Sequence, residues 1–183
     1  EQLANRYDFI DINRVGIFGH SGGGFMATAA ICTYPDFYKA AVSSSGNHDN
    51  NIYNRGWVEI YNGVQESTKT IQTATGKDSI IYTFSSHVPT NMELAKNLKG
   101  HLLLVSGDQD RNVHPAHLLR MANALIQANK NFEMLLIPGA KHGYTGQANR
   151  FFEKKLWFHF AKYLLGDFSS EQFTDLDETL KIK

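Results

Sequence analysis

The sequence has almost no cysteine and no excess of either charge, and both shortages narrow the class of protein. Its one cysteine, Cys32, cannot form an internal disulfide, which excludes a disulfide-stapled fold. Eighteen lysine and arginine residues balance eighteen aspartate and glutamate residues, so the charge gives no reason to expect a nucleic acid or an anionic membrane as partner. No apolar run approaches the roughly 18 residues that a membrane-spanning helix needs, so no membrane segment is expected in this chain.

What the sequence does contain is enough apolar material for a folded core. Of its 183 residues 42% are hydrophobic and 12% aromatic, which argues against a disordered chain and suits one domain of ordinary size. Short apolar runs alternate with longer amphipathic segments, a pattern typical of a mostly parallel sheet of about four strands flanked by helices. The expected strands are residues 15–18, 40–42, 102–105 and 132–137; the expected helices are 22–34, 115–128 and 148–165, with the end of a further helix at 3–10. Residues 45–91 read as irregular, with a weak helical stretch near 57–61.

The first chemical signal is a G-x-S-x-G motif at residues 19–23, between an expected strand and an expected helix. A nucleophile on such a turn has a strained backbone, and the residues two before and two after it, Gly19 and Gly23, are expected to be glycine to avoid a collision. The turn exposes the hydroxyl of Ser21. It also directs the start of the following helix, and the backbone N–H of Gly22, toward a developing oxyanion.

A nucleophilic serine needs a base, and the base needs an orienting carboxylate. Asp110 follows the third expected strand and His142 follows the fourth, so the order is serine, aspartate, histidine, as in α/β-hydrolases. We therefore expect Ser21 to be the nucleophile, His142 the general base and then acid, and Asp110 the carboxylate that fixes the imidazole. Asp108 competes for the acid role, although an aspartate at this point is also a common turn residue.

Other kinds of site agree less well with the sequence. The D-x-D-x-N run at 108–112 resembles a calcium loop, but Val113 stands where that loop needs glycine. His114 and His117 lack a nearby third zinc ligand. Cys32 lies within an apolar helical stretch and is expected to be a small core residue. We expect no metal and no cofactor. The remaining histidines, expected at the surface or half buried, are His48, His87, His101 and His159.

The motifs together resemble the prolyl oligopeptidase family of serine peptidases, and most closely its dipeptidyl peptidase IV branch. The resemblance rests on G-H-S-G-G-G-F at 19–25, D-R-N-V-H at 110–114 and K-H-G-Y at 141–144, and extends over residues 97–107. It implies that the chain, 1–183, is the C-terminal part of a single α/β-hydrolase catalytic domain. The upstream half of that domain, and any β-propeller, would then lie outside this sequence.

The resemblance also implies substrate-binding residues. Asn112 would hold a substrate carbonyl, and Val113 would line the pocket for the residue before the cleaved bond. Tyr53 and Trp57 would fall on aromatic positions of the pocket wall. Asn50 stands where the dipeptidyl peptidases usually carry tryptophan, which leaves proline preference open.

The function expected from these features is hydrolysis of peptide bonds through an acyl-enzyme, of dipeptidyl-peptidase or oligopeptidase type. A carboxylesterase on the same scaffold and a catalytically inactive, hydrolase-like interaction module are the alternatives. The second oxyanion donor of the family would lie upstream, so these 183 residues alone are expected to be nearly inactive. The exposed strand at residues 14–18 is expected to pair with the upstream half or with a second copy. The compartment stays open between exported and cytoplasmic, with export favoured.

Overall fold

The computed structural model describes residues 1–85 and 88–171, and the chain divides into two compact units. The first unit consists of residues 1–48 together with the chain from Asn91 onward, and the second is Asp49–Thr90. In chain order the elements are β1 (Val15–His20), α1 (Gly22–Thr33), β2 (Tyr38–Ser44), α2 (Arg55–Asn62), β3 (Gln65–Gln72), β4 (Asp78–Ser85), α3 (Asn91–Leu94), β5 (His101–Gly107), α4 (Ala116–Gln127), β6 (Glu133–Ile137) and α5 (Gly146–Phe160).

The first unit is built on a parallel sheet with strand order β1-β2-β5-β6. Successive residues of a strand point to opposite faces, and the central strand β5 shows this clearly. Leu102 and Leu104 pack with residues of α1 and α4 on one face, whereas Leu103 and Val105 pack with residues of α5 on the other. Because helices cover both faces, the inner strands β2 and β5 are buried over most of their length and have apolar residues at their centres, as parallel strands usually do. The predicted α/β fold with four parallel strands is confirmed.

Strand β1 lies at one edge of this sheet. Among the described residues it pairs with β2 alone, and the side chain of Phe18 on this strand is 66% exposed. An edge strand with an exposed aromatic side chain offers unpaired backbone groups beside an apolar contact surface.

The second unit contains helix α2 and an antiparallel hairpin of β3 and β4. The expectation that residues 45–91 are irregular was therefore wrong for 65–85. Strand β3 consists almost wholly of exposed polar residues, so the segment has no apolar run to predict it. Its threonines and the turn around Gly76, which has φ +73°, were the available signals.

The segment before β1 also differs from its prediction. Residues 3–10 form successive turns and no helix. Leu3 is 59% exposed and Tyr7 is 48% exposed, so the apolar residues that suggested the end of a helix have little to pack against. A short helix without a packed face is only marginally stable in water.

Candidate active site

Ser21 occupies a sharp turn between the end of β1 and the start of α1. Its backbone has φ +58° and ψ −123°, a positive-φ conformation that is rare for serine, and its N–H donates to the carbonyl of Ser44 at the end of β2. A Cβ on Gly19 would overlap the backbone of Gly23, and a Cβ on Gly24 would come within 2.6 Å of the carbonyl oxygen of Ser44. Both glycines are therefore needed for the turn to lie this close to the helix and to β2.

Gly23 does not need to be glycine for the same reason. A Cβ added there would meet no atom within 4 Å. The expectation that both flanking glycines avoid a collision of their own side chains was wrong for this position. The collision is between a side chain at 19 and the backbone at 23, so the requirement falls on Gly19.

Asp110 is held in a fixed orientation on the loop after β5. Its side chain is fully buried, and one carboxylate oxygen, Oδ1, accepts the backbone N–H groups of Asn112 and Val113, both at 2.9 Å. Its other oxygen, Oδ2, lies 2.8 Å from Nδ1 of His142. Two backbone donors and one imidazole therefore satisfy a carboxylate that would be costly to bury unpaired.

His142 joins this carboxylate to the serine. Its Nε2 lies 3.1 Å from Oγ of Ser21, so the imidazole bridges two residues that are 121 and 32 positions away from it in the chain. The loop of His142 comes close to the end of β5 because Gly107 has no side chain: a Cβ there would overlap the backbone of Ala140. A hydroxyl, an imidazole and a buried carboxylate in this order can generate a nucleophile by proton transfer from serine to histidine.

Asp108 takes a different part. Its Oδ1 accepts the backbone N–H of Gly139 at 2.6 Å, which ties the loop after β5 to the turn after β6. Asp110, two residues later, is the aspartate that reaches His142. The alternative for Asp108 was a turn residue bonded to its own backbone, but its side chain accepts from a different turn, 31 residues later.

Gly22 is the first residue of α1, directly after the serine. The first N–H groups of a helix have no partner within the helix, and the helix dipole favours negative charge beside them. The geometry is suitable for an oxyanion that forms on a carbonyl attacked by Ser21.

The other predicted site residues have different surroundings. Val113 is buried and Asn112 is exposed, and both use their backbone N–H groups to hold Asp110. Tyr53 and Trp57 belong to the second unit, where their half-buried rings pack edge to face with centroids 5.5 Å apart. Trp57 also lies in α2, and its backbone N–H donates to the side-chain oxygen of Asn54 at the start of the helix.

Sequence reasoning missed three polar side chains around the imidazole. His20, Ser44 and Tyr144 form a hydrogen-bonded row beside His142. The signals were their positions: His20 directly precedes the serine, Tyr144 follows His142 by two residues, and Ser44 ends the neighbouring strand.

Two histidines expected near the surface are buried instead. His48 is 1% exposed and His159 is 4% exposed, whereas His101 is exposed as expected and His87 lies outside the described residues. Burial, with a smaller contribution from the charge of His117, lowers the pKa of His48 to about 3. The buried His48 ring has a hydrogen-bond partner in place of water, because the side-chain amide of Asn91 donates to its Nδ1 at 3.0 Å. Cys32 is buried as expected, and burial raises the pKa of its thiol to about 12.

The part of the chain that the structure describes has neither a metal site nor a membrane-spanning helix. No three side chains of His, Cys, Asp or Glu come together there as a metal site. No helix there has the length and apolar character to cross a bilayer.

Comparison with known proteins gives the chain a family. The model of the prolyl oligopeptidase family (Peptidase_S9) matches residues 1–168. The chain belongs to the prolyl oligopeptidase family. This member is 32% identical over 142 residues to human dipeptidyl peptidase 8, a match that covers 78% of this chain and 15% of that protein. It is 26% identical over 161 residues to bovine prolyl endopeptidase FAP, covering 88% of this chain and 19% of that protein.

Solved structures agree on the fold of this prolyl oligopeptidase family member. A crystal structure of a dipeptidyl aminopeptidase IV candidate from Bacteroides ovatus superposes with a TM-score of 0.73 at 24% identity, covering 89% of this chain and 21% of that one. The Porphyromonas gingivalis dipeptidyl peptidase 4 structure gives a TM-score of 0.63 at 23% identity, covering 87% and 21%. The fold is that of an α/β-hydrolase of the dipeptidyl peptidase IV-like branch. The chain spans about a fifth or less of the length of these relatives.

Proposed function

We propose that this chain carries the nucleophile, the general base and the orienting carboxylate of a serine peptidase that cleaves peptide bonds through an acyl-enzyme. The observation that supports it is the continuous line from Ser21 Oγ through the His142 imidazole to the buried Asp110, with distances of 3.1 and 2.8 Å. Membership in a peptidase family supports peptides as the substrate class.

In the proposed reaction, Nε2 of His142 takes the proton of the Ser21 hydroxyl while Oγ attacks the substrate carbonyl carbon. The carbonyl oxygen becomes an oxyanion, which the N–H of Gly22 stabilises. The tetrahedral intermediate collapses when His142 gives its proton to the leaving amine, and an ester to Ser21 remains. A water molecule then attacks this ester while His142 takes its proton, and His142 returns the proton to Ser21 as the carboxylic acid product leaves. Asp110 stabilises the imidazolium each time it forms.

The substrate class is proposed from the relatives. The relatives named above are dipeptidyl peptidases and a prolyl endopeptidase. We therefore propose that the protein releases short peptides from the N-termini of its substrates or cleaves oligopeptides. Asn112, Val113, Tyr53 and Trp57 are the proposed substrate-binding residues.

The test uses the full-length product of the gene and two substrate series, dipeptide amides and short acyl esters. A peptidase gives the higher kcat/KM on the amides, and labelling by a fluorophosphonate falls to background in the Ser21→Ala variant. Higher kcat/KM on esters would make the protein a carboxylesterase. Absence of labelling in the unsubstituted protein would instead indicate an inactive module used for interaction.

We also propose that residues 1–183 are the C-terminal part of the catalytic domain, whose second oxyanion donor comes from the upstream part. Loss of one oxyanion donor costs about 2.7–4 kcal/mol of transition-state stabilisation, or roughly 10²- to 10³-fold in kcat. The 183-residue chain produced alone should therefore hydrolyse peptides at least about 100-fold more slowly than the full-length protein. Equal kcat for the two proteins would refute this.

A further inference from the structure

A second hydrogen-bonded row lies beside the serine, histidine and aspartate. Nδ1 of His20 is 3.0 Å from Oγ of Ser44, and Ser44 donates to the hydroxyl of Tyr144 at 2.9 Å. Ser44 has a single hydroxyl proton and directs it to Tyr144, so its oxygen accepts a hydrogen bond from the Nδ1–H group of His20. The row connects the end of β1 through the end of β2 to the loop that carries His142.

The row contacts the imidazole of His142 from the side. The ring centroids of His20 and His142 are 4.8 Å apart, and the ring of Tyr144 meets His20 edge to face at 5.9 Å. The hydrogen bonds of His142 to Asp110 and Ser21 fix the line between its two nitrogens. The ring of His20 packs against one side of this imidazole, so it opposes displacement of the imidazole out of that line.

We propose that His20 is a positioning residue, anchored by Ser44 and Tyr144, that in its neutral form holds the His142 imidazole in line between Asp110 and Ser21. This proposal deepens the proposed function and rests on it for its kinetic consequence. His20, Ser44 and Tyr144 are different residues from the three proposed catalytic groups Ser21, His142 and Asp110.

The charge of His20 matters because of the groups that face it. These are His142 and Asp110 on the loops after β6 and β5, and the phenol of Tyr144. Partial burial lowers the pKa of His20, and the charge of His142 lowers it further; the Asp110 carboxylate and a hydrogen bond with the backbone of His142 oppose this. His142 must take a proton during the reaction. A protonated His20 would set a second positive charge against that imidazolium and disfavour the step.

The experiment compares His20→Ala, His20→Phe and Tyr144→Phe in the full-length gene product. The matched control is His101→Ala, which also removes a histidine in ring contact with a tyrosine, here stacked on Tyr163 with 3.7 Å between centroids. His101 lies at the start of β5, at the opposite end of the strand from the site. One readout is the low-field NMR signal of the His142 Nδ1 proton in the bond to Asp110. The second is kcat, KM and the pH dependence of kcat/KM on a dipeptide amide.

We expect His20→Ala to broaden the Nδ1 signal and to lower kcat by up to about 100-fold with KM little changed, because a small misplacement of a catalytic group has effects of this size. His20→Phe should restore the signal and much of kcat, since it keeps a ring in place. Tyr144→Phe should give a smaller loss, and His101→Ala none.

The pH profile separates a positioning role from a general loss of stability. In the unsubstituted protein the acidic limb of a plot of log kcat/KM against pH should have a slope greater than 1, because both His20 and His142 must be neutral. In His20→Phe the slope should be 1, because only His142 then titrates. An unchanged Nδ1 signal, or an unchanged limb and kcat in His20→Ala, would overturn the proposal. If the parent cleaved no peptide but its Nδ1 signal still depended on His20, the proposed function would fail and the positioning role would stand.

Discussion

At the scale of single residues, Asp108 and Asp110 show how little sequence distance separates a structural carboxylate from a catalytic candidate. Asp110 is fully buried and meets His142, whereas Asp108 is exposed and accepts the N–H of Gly139. The difference arises from the direction in which the tight loop after β5 turns each side chain. Spacing alone could not supply that direction.

This difference predicts opposite results for two matched substitutions. Asp110→Asn should lower kcat by about 10⁴-fold, because an amide cannot keep the imidazole in the tautomer that accepts from serine. Asp108→Asn keeps an oxygen acceptor for Gly139, so it should change the free energy of unfolding by about 0.5 kcal/mol or less and leave kcat near that of the parent. Steady-state kinetics on a dipeptide amide and urea unfolding measure the two effects. Equal losses of kcat would exclude the assigned roles.

His48 carries a prediction about pH. The folded protein holds this histidine neutral with a pKa of about 3, whereas the unfolded chain protonates it near the ordinary value of 6.5. Between these pH values the unfolded state binds one more proton than the folded state, so protonation of His48 favours unfolding. Above pH 6.5 His48 is neutral in both states and leaves the free energy of unfolding unchanged. From pH 6.5 down to pH 3 the free energy of unfolding falls by about 1.4 kcal/mol per pH unit.

Urea unfolding of the chain at several pH values between 4 and 7 measures this slope, with His48→Gln as the comparison. The variant loses the titrating group but keeps a side chain able to hydrogen bond, so its slope should be smaller by about one proton. The same slope in both proteins would assign the acid sensitivity to other groups.

At the scale of elements, the strand-to-helix turn predicts unequal roles for its two flanking glycines. Gly19→Ala would force a side chain into the backbone of Gly23 and should cost about 1–3 kcal/mol, as overpacking does. Gly23→Ala meets open space within α1 and should raise the free energy of unfolding by up to about 1 kcal/mol through helix propensity. Urea unfolding of the two variants beside the parent tests this. A similar loss in both would mean that the turn has a different geometry.

The elements also show what the sequence could and could not predict. Strands such as β5 were predictable because Leu102, Leu103 and Leu104 form a short apolar run, and parallel strands buried on both faces require such runs. The Ser21 turn followed from its glycines. The β3–β4 hairpin was not predictable from hydrophobicity because β3 is exposed and polar. The row of His20, Ser44 and Tyr144 was not either, since it depends on the register between β1 and β2 and on a loop a hundred residues later.

At the scale of the whole molecule, the parallel sheet is what gathers the site. The chain leaves β1, β5 and β6 at their carboxyl ends on one rim, and β2 between β1 and β5 contributes Ser44 there. Catalytic groups far apart in the chain therefore meet at this rim, although the strands that precede Ser21 and His142, β1 and β6, stand at the two ends of the strand order. This is the usual location of sites in such sheets.

The same sheet leaves β1 with one free edge among the described residues, and that edge predicts association. The 183-residue chain produced alone should self-associate as its concentration rises, because Phe18 is exposed beside unpaired backbone groups. Phe18→Lys places a charge on the edge and should keep the chain monomeric in sedimentation equilibrium. Ile126→Lys is the matched control, since Ile126 is similarly exposed, at 61%, but lies on helix α4. Association that Ile126→Lys abolishes and Phe18→Lys leaves intact would locate the contact on α4 and contradict the role assigned to β1.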